Sequence, residues 1–142
     1  MSFPINSLRG IPNNDYIVED GTVSSHLFFF DNKYIRDNRW IEQSINWQDD
    51  ENAITLTLNQ KKEDGTYQFE AGVAILPRKE IDRLINKTNV KGKLSYERQP
   101  IQDNPYHGNL LLLNEIPKRT MKMWAAVLAV GVSEIVHNKN EG

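Results

Sequence analysis

The chain has 142 residues, a size that closes around one hydrophobic core and leaves no room for a second. It contains no cysteine, which excludes disulfide scaffolds, cysteine-ligated zinc, iron–sulfur clusters and thiol nucleophiles. Its 17 basic and 19 acidic residues give a formal charge of −2, so no global basic field is available for nucleic acid or anionic lipid, and the 39% apolar content is that of an ordinary soluble globular protein.

Met1-Ser2-Phe3-Pro4 lacks the basic start and apolar run of a signal peptide. The most apolar stretch, Met123 to Val132, is about half the ~20 residues a bilayer span requires. A cytoplasmic protein without a membrane or nucleic-acid partner is therefore expected.

Residues 1–20 combine Pro4, Pro12 and Asn13-Asn14 with few apolar side chains, which predicts a long ordered loop or a short edge strand. Thr22 to Phe30 is rich in β-branched and aromatic residues and is bounded by Asp20-Gly21 and Asp31-Asn32, the pattern of a central strand. Trp40 to Trp47 alternates, setting Ile41, Ile45 and Trp47 against Glu42, Ser44 and Asn46, with Gln43 interrupting the apolar side. Ala53 to Gln60 and Tyr67 to Ile75 alternate more cleanly still, and Glu63-Asp64-Gly65 between them supplies residues that tolerate positive φ, so a hairpin is predicted.

Pro77-Arg78-Lys79-Glu80 opens a short helix carrying Ile81, Leu84 and Ile85 and ending near Asn86. Leu94 to Arg98 and Gly108 to Leu113 read as strands separated by Pro100 and an Asp103-Asn104-Pro105 turn. A last helix runs from Lys118 to Val136, apolar on nearly every face, with a polar tail over 137–142. The expected architecture is a single α+β domain over 1–142: a mainly antiparallel sheet of about five to six strands, a short middle helix and a buried C-terminal helix.

Candidate chemistry is sparse. Ser25 and His26 point to opposite faces if they lie on a strand, and Ser24, which shares a face with His26, shares it also with Phe28 and Phe30; a core histidine is the expectation there. His107 is the stronger candidate, since it stands with Asp103, Asn104 and Asn109 at a turn entering a buried strand, although Asx side chains also serve to hold such turns. His26, His107 and His137 are too far apart in sequence for a metal motif, no glycine-rich loop opens a helix, and Phe28-Phe29-Phe30 lacks the basic neighbours of a base-stacking surface. No metal or cofactor is expected.

Leu8-Arg9-Gly10, Gly21-Thr22-Val23-Ser24-Ser25 with Leu27-Phe28, Ser44-Ile45-Asn46-Trp47 and Asn104-Pro105-Tyr106-His107-Gly108-Asn109 resemble the ordered landmarks of a group of small bacterial single-domain proteins of unassigned activity. The resemblance implies a bacterial single-domain protein and supplies no substrate.

Two functions compete. The first is a non-enzymatic interaction module, an accessory, immunity or antitoxin-like partner, which binds a protein or itself through the Met121–Val136 helix and the acidic Asp15–Glu51 region, where nine acids face three bases. The second is a small transferase or hydrolase for an anionic, nucleotide-like substrate, with Arg9 gripping the substrate, Ser24 or Ser25 reacting and His107 as general base.

Overall fold

The structure is a computed structural model and describes residues 3–138. It is an α+β domain built on one seven-stranded antiparallel sheet, slightly larger than the pattern predicts. The strands are β1 (Asn6–Ile11), β2 (Ile35–Arg36), β3 (Trp40–Trp47), β4 (Gly72–Pro77), β5 (Leu94–Arg98), β6 (His107–Leu113) and β7 (Glu134–His137). Their order across the sheet is β5-β6-β3-β1-β4-β7, with β2 paired to one end of β3. Three helices accompany them: α1 (Asn52–Asn59), α2 (Arg78–Ile85) and α3 (Lys118–Gly131).

Two apolar layers sandwich part of this sheet. On one face Ile11, Ile41, Ile45, Trp47, Ala74 and Leu76 meet α2, α3 and the Val23–Phe30 segment in the main core. On the other, Leu8, Val73 and Ile75 meet Ala53 of α1. β4 is thus buried on both sides, which is why Val73-Ala74-Ile75-Leu76 is a continuous apolar run rather than an alternating one.

Several predicted elements take different forms. The N-terminal segment supplies β1, which lies at the centre of the sheet between β3 and β4 rather than at an edge. Thr22 to Phe30 is not a strand: Ser24 caps a short 3-10 turn over Ser25–Phe28. Its Leu27 and Phe28 still enter the core, because two consecutive turn residues can both point inward where two strand residues cannot. Ala53 to Gln60 is α1, not a strand. The reversal at Glu63-Asp64-Gly65 is present, with Gly65 at φ 87° and the Lys62 carbonyl accepting from Gly65 N–H, yet only Lys61 and Tyr67 bridge across it. The last helix stops at Gly131, and Glu134–His137 turns back as edge strand β7 against β4, so His137 belongs to the sheet and Asn138 after it is buried; the rest of the predicted polar tail, 139–142, lies outside the described residues.

Trp40–Trp47, Leu94–Arg98, the α2 boundaries and the strand through Gly108–Leu113 are found where the pattern places them. Among the described residues no helix is long and apolar enough to cross a membrane.

His26 is exposed rather than buried. Its Nδ1 lies 3.0 Å from Ser24 Oγ and its ring rests on Phe29, with centroids 4.5 Å apart. No void would open on truncation, so His26→Ala is expected to shift the unfolding free energy by no more than about 1 kcal/mol in a denaturant titration, the range of an exposed contact.

Candidate functional site

β3 divides its side chains between the two faces as the alternation predicts. Ile41, Ile45 and Trp47 enter the core; Glu42, Ser44 and Asn46 share the opposite face with His107, Asn109 and Leu111 of β6, their register partners. Helix α1 covers that second face over β1, β4 and the Asn46 end of β3, and the rest of the β3-β6-β5 portion carries a polar network. Arg36 of β2 is paired with both Glu42 and Glu97, Asn109 donates to Glu97 at 2.8 Å and to the Gln99 side chain at 2.7 Å, and Glu97 holds Arg36 in return. The Arg36 guanidinium keeps the Glu97 carboxyl below the usual carboxylate range against the opposing pull of burial, and the Asn109 amide acts in the same direction as Arg36.

β1 and β3 pair only at Ser7↔Trp47 and Leu8↔Asn46 before they part. A cleft of about 220 Å³ opens on the polar face at this split, between Leu8 and Gly10 of β1, Ser44 and Asn46 of β3, and His107. Its floor is interlocked. Asn104 donates to Asn46 Oδ1 at 2.9 Å, and Asn46 donates to Thr57 Oγ1 at 2.7 Å and to Gln60 Oε1 at 3.3 Å, which ties the 101–106 turn and the end of α1 to β3. Asp103, at φ 71°, shapes that turn, consistent with the tolerance of Asx residues for positive φ.

His107 stands at the cleft with both ring nitrogens engaged: Nδ1 is 2.9 Å from the Gln99 carbonyl and Nε2 is 3.4 Å from Ser44 Oγ. A carbonyl only accepts, so Nδ1 carries the proton, and Nε2 presents its lone pair to the Ser44 hydroxyl.

Arg9 reaches the same residue from the opposite face. Its Nη1 donates to the Ser44 carbonyl at 2.8 Å and its Nε to the Leu27 carbonyl at 3.0 Å, filling the gap between the separating strands. Burial pushes its guanidinium down to about 10, partly offset by the Tyr16 and Tyr34 hydroxyls. Gln43, the residue that interrupts the apolar side of β3, does similar work, donating to the Phe29 carbonyl at 3.1 Å while its Oε1 is buried without a partner. Arg9 and Gln43 together fasten the Ser25–Phe28 turn to the sheet.

The predicted set of Arg9, Ser24, Ser25 and His107 therefore does not share one cavity. Arg9 and His107 flank Ser44 from opposite sides, while Ser24 caps the 3-10 turn and bonds His26. Ser44, Gln60 and Gln68 are cleft residues to which the sequence reading assigned no role in a site. The acidic stretch also disperses: Glu42 pairs with Arg36, Asp49 with Arg98 at 2.6 Å, and Asp50 accepts from the Tyr106 hydroxyl. A wider groove of about 570 Å³ lies on the other side of Gln60, between α1 and Asp103, Pro105 and Tyr106. No group of three His, Asp or Glu side chains among the described residues is placed to hold a metal ion.

No protein family, curated protein or solved structure compared with this chain matches it.

Proposed function

We propose that this chain is a protein-interaction module, and that it docks through the outer face of α3 onto a second copy of itself. The observation that carries the reading is the exposure of Met123, Val127 and Val130, at 61%, 41% and 86%, on a helix whose inner face is buried through Met121, Trp124, Ala125 and Leu128. Positions 119, 123, 126, 127 and 130 form one stripe at helical spacing, and no other described residue lies over it. In most soluble proteins that stripe would be polar.

Its pattern is self-complementary. A two-fold axis midway between Ala126 and Val127 sets Met123 of one copy against Val130 of the other and puts the smallest side chain at the crossing. The helix ends contribute in the same sense, since each basic first turn meets the negative end of the opposing dipole. Such a docking surface suits an accessory or immunity-type partner, and the docking itself requires no catalysis. Within the acidic Asp15–Glu51 region, Asp31, Glu42 and Asp49 are already ion-paired, with Lys33, Arg36 and Arg98.

Three apolar side chains make a small interface, so a weak, concentration-dependent dimer is the expected state. Sedimentation velocity of the full chain from micromolar to submillimolar concentration reads it directly. The wild type should shift toward a dimer with loading, and Val130→Glu, at an 86% exposed position, should stay monomeric with an unchanged melting temperature. A wild type that sediments as a monomer throughout overturns the proposal, as does a dimer indifferent to Val130→Glu.

A further inference from the structure

The cleft at the β1–β3 split lies on the opposite face of the sheet from α3 and has no part in that docking. Three observations there belong together. Ser44 Oγ is exposed and 3.4 Å from a histidine nitrogen whose tautomer is fixed by the Gln99 carbonyl. The cleft lining carries no Lys, Arg, Asp or Glu side chain. Gln60, whose Oε1 is occupied by Asn46, lines the cleft with an amide nitrogen that has no protein partner among the described residues, and Gln68 lines it as well.

We propose that Ser44 is a nucleophile activated by His107, and that the cleft takes small uncharged carboxylic esters. The class follows from the lining. An anionic substrate would find no cation in the cleft, because the guanidinium of Arg9 is spent on main-chain carbonyls from the other face. A hydroxyl next to an imidazole lone pair suits acyl transfer, and side-chain amides can donate to the oxyanion that forms.

The reaction proceeds in two halves. Ser44 Oγ attacks the ester carbonyl carbon as its proton passes to His107 Nε2. Collapse of the tetrahedral oxyanion breaks the acyl carbon–oxygen bond, and the His107 proton leaves with the alkoxide as alcohol. Water then loses a proton to the same Nε2 as it attacks the acyl carbon, and the carboxylic acid departs as Ser44 regains its proton. The positive charge that His107 carries between these transfers lies within the field of the Glu97 carboxylate, and the Gln99 carbonyl holds Nδ1–H throughout. The arrangement differs from the predicted one in its nucleophile, since Ser24 and Ser25 have no contact with His107.

A fluorophosphonate probe tests this on the full chain, because it phosphonylates an activated serine hydroxyl with loss of fluoride. Peptide mapping by mass spectrometry should find the adduct on Ser44. The labelling rate should fall about 100-fold or more in His107→Gln, the scale of a lost general base, and should be unchanged in a Ser24→Ala, Ser25→Ala double variant. His107→Asn serves as a second variant if the glutamine form melts early. Absence of adduct at Ser44 in the wild type, labelling of a different serine, or labelling of Ser44 at an undiminished rate in a folded His107 variant each overturns the proposal. None of these results depends on the oligomeric state, so this proposal and the docking proposal fail separately.

Discussion

Gly108→Ala is expected to be among the most damaging single substitutions in this protein, lowering stability by about 3 kcal/mol and the melting temperature by roughly 10 °C. Gly108 sits inside β6 with ordinary backbone angles, so conformational freedom is not the issue. A Cβ there would lie 2.4 Å from the Glu97 carbonyl oxygen of β5 and 2.4 Å from Trp47 Nε1. Neither neighbour can give way cheaply. Glu97 belongs to a strand in register with β6, and Trp47 is fully buried, donates its indole N–H to that same carbonyl at 3.0 Å and packs against Phe3 and Tyr96. Rotating the indole would break the hydrogen bond and leave the carbonyl unanswered, adding the cost of a buried unsatisfied group to the overpacking. Gly92→Ala is the control. Gly92 has φ 81° with nothing within 4 Å of the added carbon, so only local backbone strain of about 1 kcal/mol is expected. Denaturant titration of both variants decides the matter, and equal midpoints would show that Trp47 does not seat against Gly108.

What the sequence makes legible is set by how many constraints act on a segment at once. Trp40–Trp47 reads correctly because one face is buried and the other is polar, so its alternation reflects geometry directly. The helix after Pro77 reads correctly because the proline fixes its start and Ile81, Leu84 and Ile85 can share a face only at helical spacing. β1 is hidden because Ser7, Arg9 and Gly10 are polar or small for tertiary reasons. Ser7 donates to the Leu76 carbonyl at 2.9 Å, Arg9 fills the split between strands, and a Cβ on Gly10 would strike the Phe69 ring. None of those partners is near in sequence. The Thr22–Phe30 segment misleads for the opposite reason: its apolar side chains do enter the core, but from a turn, whose main-chain carbonyls are answered by Arg9 and Gln43 rather than by a neighbouring strand.

The site follows the same logic. His107 stands out in the sequence because a histidine at a turn entering a buried strand has few other roles. Its neighbour could not be found that way, since Ser44 lies 63 residues away and is joined to it only by the β3–β6 register, in which Asn46 pairs with His107 and Ser44 with Asn109. The nearby motif Ser24-Ser25-His26 offers a tempting proximity instead, and the 3-10 turn spends it on capping. Leu8 and Gly10, Ser44 through Asn46, and Asn104 with His107, far apart in the sequence, all line the cleft at the strand split.

Thr57→Pro is expected to cost at least about 3 kcal/mol, while Asn52→Pro should cost about 1 kcal/mol. Thr57 lies in the third quarter of α1, where proline removes an intrahelical donor and its ring meets the carbonyl of Ala53. The threonine hydroxyl is lost as well; it donates to that carbonyl at 2.7 Å and receives Asn46 at 2.7 Å, so Asn46 would be left partly unanswered beneath the cleft. Asn52 is the first residue of the helix, where proline is accommodated, and the main penalty is its N–H bond to Asp50 Oδ1. This ordering alone does not separate a helix from the strand that the alternation of Ile54, Thr55, Leu56, Thr57 and Leu58 predicts, because proline harms the middle of either. Thr55→Ala does. Thr55 is exposed, and in a helix alanine should raise stability by about half a kcal/mol, whereas in a strand the loss of a β-branched residue should lower it. The helix has a physical reason: Asp49, Asp50 and Glu51 place negative charge at its positive end, and Ala53, Ile54, Thr57 and Leu58 form the stripe that meets Leu8, Val73 and Ile75. Over eight residues the two periods both fit, and the acids before Ala53 are the signal that decides between them. A Thr55→Ala variant with a lowered unfolding midpoint would contradict the helix and remove α1 from the wall of the cleft.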